Sequence, residues 1–146
     1  MTRLQGEGMT GKEIRMSRLS SEGRPVVAAI DHGNYFGPVA GLTDLKETVS
    51  KISNADAILM TPFIVPHVKH VFFGKSAPSM ILRVNWTTSL CQPWKYREAH
   101  TQPVMEPAEA LSRGADAILA ALTLQSGSEE TDAKNVKIFA EIATQA

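Results

Sequence analysis

A carboxylate, an imidazole and a glycine directly follow the apolar run 26–30: Asp31, His32 and Gly33. The run has the length and the β-branched residues of a parallel strand covered on both faces. Folds built from such strands place their catalytic groups where the strands end. Asp31 is therefore a candidate general acid or base, or a holder of substrate hydroxyls through charge-assisted hydrogen bonds. Structural alternatives stay open: Asp31 as the cap of a loop amide, His32 as a half-buried histidine, and Gly33 as a flexible position after the strand.

Three further side chains have types that suit binding. His67 and His70 are three residues apart in a predicted short helix, a spacing that can share a metal. A third ligand is not obvious, although His32 or Asp31 could serve, so solvated or capping histidines are the default expectation and a metal site is the alternative. Arg83 lies within a predicted buried strand, where a cation needs an anionic partner. That partner is either a phosphate or carboxylate ligand at the end of the sheet or an internal carboxylate, Asp56 or Asp116.

The composition restricts the class of protein. At 146 residues the chain is long enough for one domain with a core and short for two. Lys and Arg (15) balance Asp and Glu (15), so bulk charge indicates neither nucleic acid nor an anionic membrane as a partner. Cys91 is the single cysteine, which favours a reducing compartment and suits packing better than catalysis. With no membrane-spanning apolar run and no secretory signal pattern, we expect a cytoplasmic protein.

Strand and helix patterns alternate after an N-terminal segment, residues 1–24. Strands are predicted at 26–30, 57–60, 80–84 and 117–124, and helices at about 44–52, 66–74, 107–114 and 129–146. A long polar loop with Trp86, Trp94 and Tyr96 follows the third strand. Strands that alternate with helices require a parallel sheet with right-handed crossovers. Residues 25–146 are therefore predicted to form four βα units of an α/β fold.

One repeat supports this division. The sequence Ala-Asp-Ala-Ile-Leu occurs at 55–59 and again at 115–119. Two successive βα units of a barrel have about this spacing, so the two copies are predicted to occupy equivalent positions. A complete (β/α)8 barrel needs roughly 200–250 residues. We therefore expect residues 1–146 to form a single, incomplete domain, about half of a (β/α)8 TIM barrel.

A set of short motifs is distributed along the chain. They comprise residues 11–19, 23–24, 30–33, 37–38 and 41–42 around the first strand, then 114–117 and 127–129 around the fourth. In this order they resemble the archaeal-type class I fructose-bisphosphate aldolases, a family of Schiff-base aldolase and thiolase-like TIM barrels. The resemblance covers most of the chain but only the N-terminal half of the family's barrel.

The resemblance implies a barrel that acts on a phosphorylated keto-sugar such as fructose 1,6-bisphosphate, without a cofactor. It matches Asp31 to the family's first-strand aspartate, which positions substrate hydroxyls and assists proton transfer, and it assigns His32 and Gly33 to substrate binding. The family's catalytic tyrosine and Schiff-base lysine lie on its fifth and sixth strands, beyond the matched half. The eight lysines of this chain all fall in predicted helices or loops: Lys12, Lys46, Lys51, Lys69, Lys75, Lys95, Lys134 and Lys137.

Three functions follow as hypotheses. In the first, the chain is the N-terminal part of a class I aldolase and is inactive by itself because it lacks the lysine. In the second, it is a non-catalytic half-barrel or binding module that associates with itself or with a C-terminal half, since open barrel edges expose unpaired backbone. The third is a metal-dependent lyase or hydrolase that uses His67, His70 and Asp31.

Overall fold

The computed structural model describes residues 10–19 and 23–146. The helices are α1 (Thr10–Leu19), α2 (Gly33–Phe36), α3 (Leu45–Ile52), α4 (Val65–Val68), α5 (Pro107–Ser112) and α6 (Glu129–Gln145). The strands are β1 (Val27–Ala29), β2 (Ala57–Met60), β3 (Ser79–Arg83), β4 (Asn85–Thr87), β5 (Thr101–Pro103) and β6 (Ala117–Leu119). Short 3-10 helices cover Lys69–Phe72, Thr88–Leu90 and Gln92–Trp94. Of the N-terminal segment predicted at 1–24, residues 1–9 and 20–22 lie outside the described residues.

Four parallel strands form the main sheet, in the order β1-β2-β3-β6. At least one helix separates each strand of this sheet from the next, and α6 follows the last. The arrangement confirms the predicted α/β fold of four βα units. Across residues 10–19 and 23–146, no helix is both long and apolar enough to cross a membrane.

The main core lies between this sheet and its helices. Ile58 and Met60 of β2 and Leu82 of β3 are fully buried there. They belong to one hydrophobic cluster with Val49 of α3 and Val68 of α4. Burial of each such side chain contributes about 1.5–3 kcal/mol. The cluster therefore fixes the strands whose carboxyl ends carry the candidate polar residues.

The last strand of the sheet is shorter than predicted and ends at Leu119 rather than at residue 124. Beyond it, the Asn85 side chain replaces a neighbouring strand. Its Nδ2 donates to the Ala121 carbonyl and its Oδ1 accepts from the Ala121 N–H, each at 2.8 Å. Thr87 Oγ1 lies 2.9 Å from Thr123 Oγ1, one step further along. Side-chain hydrogen bonds thus continue the strand pairing beyond the last backbone hydrogen bonds. The pattern of apolar residues in the sequence does not predict such bonds.

The polar loop predicted around Trp86 contains an antiparallel strand pair instead. β4 and β5 pair with Thr87 opposite Thr101. Asn135 of α6 donates to the Ala99 carbonyl at 2.7 Å and accepts from the Thr101 N–H at 2.8 Å. β-branched threonines suit such a pair, but the polar residues around them hide the strand pattern. The pair is anchored on α6 and lies beside the carboxyl end of the main sheet.

Side chains cap the starts of α3 and α6. Asp44 Oδ1 accepts from the Glu47 N–H at 3.0 Å, and Ser128 Oγ accepts from the Thr131 N–H at 3.1 Å. Such N-caps contribute about 1 kcal/mol each. Helix α1 was not predicted, and the helix predicted at 66–74 is divided into α4 and a 3-10 turn that ends at Phe72.

The two copies of the repeated sequence occupy equivalent positions, as predicted. Asp56 precedes β2 and accepts from the Val26 N–H, next to β1, at 2.7 Å. Asp116 precedes β6 and accepts from the Met80 N–H of β3 at 3.0 Å. Both carboxylates therefore lie at the amino end of the sheet, where each ties its strand to the neighbouring strand.

Replacing Asp116 by alanine should lower the free energy of unfolding by about 1–3 kcal/mol, because the buried Met80 N–H loses its acceptor. Urea denaturation measures this loss. Asp116 also lies 3.6 Å from exposed Arg18, a type of surface pair worth at most about 1 kcal/mol. Arg18→Ala is therefore the control and should cost less. Equal losses in the two variants would assign the effect to the ion pair instead.

Candidate active site

The strand register places polar residues of three strands at one level. The paired residues of β1, β2 and β3, continued to the carboxyl ends, bring Asp31, Thr61 and Arg83 side by side. Asp31 and Thr61 are buried. Side chains alternate between the faces of a sheet, and the helix-facing positions hold residues such as Met60 and Leu82. These three polar residues therefore lie on the opposite face, which is the interior of the barrel.

Asp31 and Arg83 form a buried ion pair across the end of the sheet. Arg83 Nε donates to Asp31 Oδ2, and the two side chains are 12% and 4% exposed. An internal carboxylate was one of the predicted partners of Arg83, but the predicted identities, Asp56 and Asp116, were wrong. Those two carboxylates lie at the amino end of the sheet, whereas Arg83 is the last residue of β3.

Tyr35 lies against this ion pair and was not among the predicted site residues. The Arg83 Cζ atom is 5.3 Å from the centre of the Tyr35 ring. Tyr35 is 2% exposed, and its hydroxyl has no hydrogen-bond partner among the described residues. Burial raises the pKa of Tyr35 to about 12; Arg83 opposes the rise, while Asp31 and Cys91 add to it.

The predicted substrate-binding residues lie beside Asp31 on the more open side. His32 is half exposed, its Nδ1 is 3.8 Å from Asp31 Oδ1, and its ring stacks on Phe36 with 6.2 Å between centroids. Gly33 is the first residue of α2, and a Cβ at this position would meet nothing within 4 Å. Its φ does not lie in the left-handed region, so the flexibility expected of Gly33 is not required here.

Short helical turns cover the end of the sheet above Asp31. Helix α2 contacts the turns Thr88–Leu90 and Gln92–Trp94. Cys91, between the two turns, is buried, and its thiol donates to the Thr87 carbonyl at 3.6 Å. Burial raises the pKa of the Cys91 thiol, which disfavours the reactive thiolate. The surroundings of Cys91 thus fit the predicted packing role.

The histidines proposed as metal ligands do not join Asp31. His67 is exposed in α4, and His70 is exposed in the 3-10 turn that follows. Asp31 is instead buried against Arg83. Within the ranges that the structure describes, no group of three His, Cys, Asp or Glu side chains is placed to hold a metal ion. The metal-dependent hypothesis gains no support from this geometry.

None of the chain's lysines lies on a strand of the sheet that carries the candidate site. All eight are at exposed positions in helices or loops, and none lies on a strand: Lys12, Lys46, Lys51, Lys69, Lys75, Lys95, Lys134 and Lys137. A Schiff-base lysine needs desolvation or a neighbouring cation to lower its pKa. Exposed positions of this kind do not provide the desolvation.

Alkaline pH should destabilise the fold through Tyr35. Its pKa is 10.0 in the reference state and about 12 in the folded chain. The folded state therefore keeps the proton longer, and its stabilising contribution is present below pH 10 and lost as the pH rises towards 12. Urea denaturation from pH 9 to pH 12 should show a steeper fall for the wild type than for Tyr35→Phe. Tyr96→Phe, which removes an exposed phenol, should behave as the wild type; equal slopes in all three would contradict the prediction.

The fold and the site together define an α/β barrel protein that carries its polar groups at the carboxyl ends of the strands, as barrel enzymes do. Residues 25–146 match the family described as DeoC/LacD family aldolase. The chain belongs to this family.

Two curated proteins are similar in sequence. The chain is 34% identical over 141 residues to an uncharacterized aldolase of Saccharolobus solfataricus. The matched region covers 94% of this chain and 52% of that protein. It is 32% identical over 110 residues to the 2-amino-3,7-dideoxy-D-threo-hept-6-ulosonate synthase of Halobacterium salinarum. Here the matched region covers 74% of this chain and 39% of that protein. The chain thus spans about half, or less, of the length of the curated relatives it matches.

Solved structures share the fold over about half of their length. An archaeal fructose 1,6-bisphosphate aldolase superimposes with a TM-score of 0.66 at 21% identity, over 92% of this chain and 52% of that one. A Schiff-base-forming fructose-1,6-bisphosphate aldolase, studied through its reaction intermediates, gives a TM-score of 0.69 at 21% identity over the same shares. The resemblance to aldolases, inferred from the motifs, is confirmed, and it covers about half of the length of the similar proteins.

Proposed function

We propose that this chain supplies part of the active site of a class I, Schiff-base aldolase that acts on a phosphorylated keto-sugar such as fructose 1,6-bisphosphate. One observation carries the proposal: the Asp31 carboxylate is buried and held by Arg83 at the end of β1, in a chain of the DeoC/LacD aldolase family. The aldolases named among the similar structures act on fructose 1,6-bisphosphate, which supports this substrate class.

Asp31 has the chemistry that aldol cleavage needs. As the carbon–carbon bond breaks, the neighbouring hydroxyl loses its proton and becomes the carbonyl of the aldehyde product, while the bonding electrons pass to an iminium formed on a lysine. A carboxylate at hydrogen-bond distance accepts that proton. The buried Thr61 hydroxyl, which has no partner within the described chain, is available to a substrate oxygen. Half-exposed His32 and the open space at Gly33 suit the more accessible end of the substrate.

The Schiff-base lysine is proposed to come from outside these 146 residues. The chain's own lysines are exposed and off the strands, and the relatives are about twice as long as the part matched here. We therefore propose that the 146-residue chain is not competent alone. Four further βα units, in the same product or in a separate one, would complete both the barrel and the site.

Reductive trapping tests this proposal. Borohydride treatment in the presence of fructose 1,6-bisphosphate should leave the 146-residue chain without a covalent adduct. A barrel completed by four further βα units should form the adduct on a lysine in the added half, which mass spectrometry can locate. An adduct on any of the eight lysines of this chain would overturn the proposal that the Schiff-base lysine comes from outside these 146 residues. A complete barrel that forms no adduct would overturn the proposed function.

The open interior face of the sheet favours a second candidate function, a half-barrel subunit that pairs with another copy of itself. Val27 on this face is 43% exposed, and Ala29 is also exposed. In the part of the chain that the structure describes, the edge strands β1 and β6 each have one neighbour. Unpaired edges beside apolar side chains favour association. A C-terminal half, or four further units of the same product, would cover the same face.

Substituting Val27 by glutamate should abolish self-association, because the charge would enter the covered face. Light scattering after size exclusion should give the wild type a mass of about twice 15.9 kDa and the variant a single-chain mass. Val136→Glu is the matched control, since Val136 is 45% exposed on α6, away from the sheet interior. A monomeric wild type would contradict the proposed self-association. Monomers from both variants would contradict the proposal that the interior face of the sheet forms the contact.

A further inference from the structure

We propose that Arg83 is a positioning residue of the candidate site: its guanidinium fixes the Asp31 carboxylate, and the face of the Tyr35 ring fixes the guanidinium. The inference rests on the proposed function, because it assigns both residues to the same site. Arg83 and Tyr35 lie outside all the motifs that carry the family resemblance, so the contacts alone support the assignment.

Asp31 needs an external constraint to hold its side chain. It lies between the end of β1 and the start of α2, where the backbone changes from strand to helix. Arg83 belongs to β3, which is hydrogen-bonded on both sides by β2 and β6. The Arg83 Nε–H bond to Asp31 Oδ2 therefore ties the carboxylate to an internal strand of the sheet. An arginine guanidinium presents its N–H donors in a fixed planar geometry, which suits it to hold a carboxylate in one orientation.

Tyr35 fixes the other side of the guanidinium. Its ring centre is 5.3 Å from Arg83 Cζ, within the range of a cation–π contact. The Tyr35 hydroxyl is buried without a partner among the residues described, and a buried hydroxyl in that state is destabilising. The ring, and not the hydroxyl, therefore makes the contact that holds the guanidinium. One turn of helix, α2, brings the ring back over the end of the sheet.

Solvent exchange of the Arg83 Nε proton tests the geometry on the 146-residue chain by NMR. We expect this proton to exchange at least about tenfold more slowly than the Nε proton of exposed Arg113. Asp31→Leu and Tyr35→Leu should each remove most of the protection, whereas Tyr35→Phe, which keeps the ring, should retain it. Equal exchange in Tyr35→Leu and Tyr35→Phe, or protection that survives Asp31→Leu, would overturn the proposal. Backbone amide signals of β2 report whether each variant is folded.

Kinetics on the completed barrel test the consequence for the reaction. Arg83→Met should lower kcat by about 10- to 100-fold, because a carboxylate displaced by about 1 Å no longer meets the reacting hydroxyl, and KM should change much less. Arg83→Lys should restore part of kcat, and Arg113→Met, at the exposed residue that follows α5, should have no effect. An unchanged kcat in Arg83→Met would overturn the positioning role. If no completed barrel forms a Schiff base, the proposed function fails, and the exchange pattern alone decides whether Arg83 and Tyr35 fix Asp31.

Discussion

Asp31→Asn should lower the turnover of the completed barrel by about 10²- to 10⁴-fold, the usual contribution of a positioned acid–base group. The amide has nearly the shape of the carboxylate, and its oxygen still accepts the bond that Arg83 Nε donates. The variant should therefore keep the geometry of the site and lose only the capacity to take up a proton. Steady-state cleavage of fructose 1,6-bisphosphate measures the loss.

The adduct assay separates proton transfer from Schiff-base formation in this variant. If Asp31 acts on the substrate hydroxyl, borohydride should still trap an adduct in Asp31→Asn, although turnover falls. Asp56→Asn is the matched control, because Asp56 lies at the amino end of the sheet and bonds a backbone N–H. Its turnover should stay within about twofold of the wild type, since it contacts no group of the site. Full turnover in Asp31→Asn would contradict the proposed role.

The position of Asp31 was predictable because it depends on local features of the sequence. An apolar run of strand length ends at the acid, and alternating strand and helix patterns assign that end to the carboxyl edge of a parallel sheet. The repeat at Asp56 and Asp116 was predictable for a similar reason. The same small-acid-small sequence before a buried strand gave the same backbone contact in both copies.

The partners of Asp31 were not predictable, because they depend on the register between distant segments. Arg83 is 52 residues away in sequence, and only the alignment of β1, β2 and β3 brings it to the same level. Tyr35 lies in a Gly- and Pro-rich stretch that periodicity assigns to a loop, so its burial over the guanidinium has no sequence signal. The pairing of Asn85 with Ala121 is equally hidden, since a side chain there replaces a strand.

The second large effect is expected when the ion pair is broken on one side only. The Asp31 and Arg83 side chains are 4% and 12% exposed, so little solvent is available to screen a charge left alone. Removing one partner of such a pair typically costs about 3–5 kcal/mol. Arg83→Met should therefore lower the free energy of unfolding by about this amount, a large share of the roughly 5–15 kcal/mol of an ordinary domain. Urea denaturation at pH 7 provides the measurement.

Removing both charges should restore most of the lost stability. In the double variant Asp31→Leu/Arg83→Met no buried charge remains, and apolar side chains fill similar volumes. A double-mutant cycle should give a coupling of at least about 2 kcal/mol. The exposed pair Glu130–Lys134, with 2.7 Å between its charged atoms, should give a much smaller coupling because solvent screens it. Strictly additive losses at Asp31 and Arg83 would contradict the prediction. Because the double variant regains stability without either charge, its inactivity in the completed barrel would show that the Asp31–Arg83 pair is needed for the reaction and not for the fold.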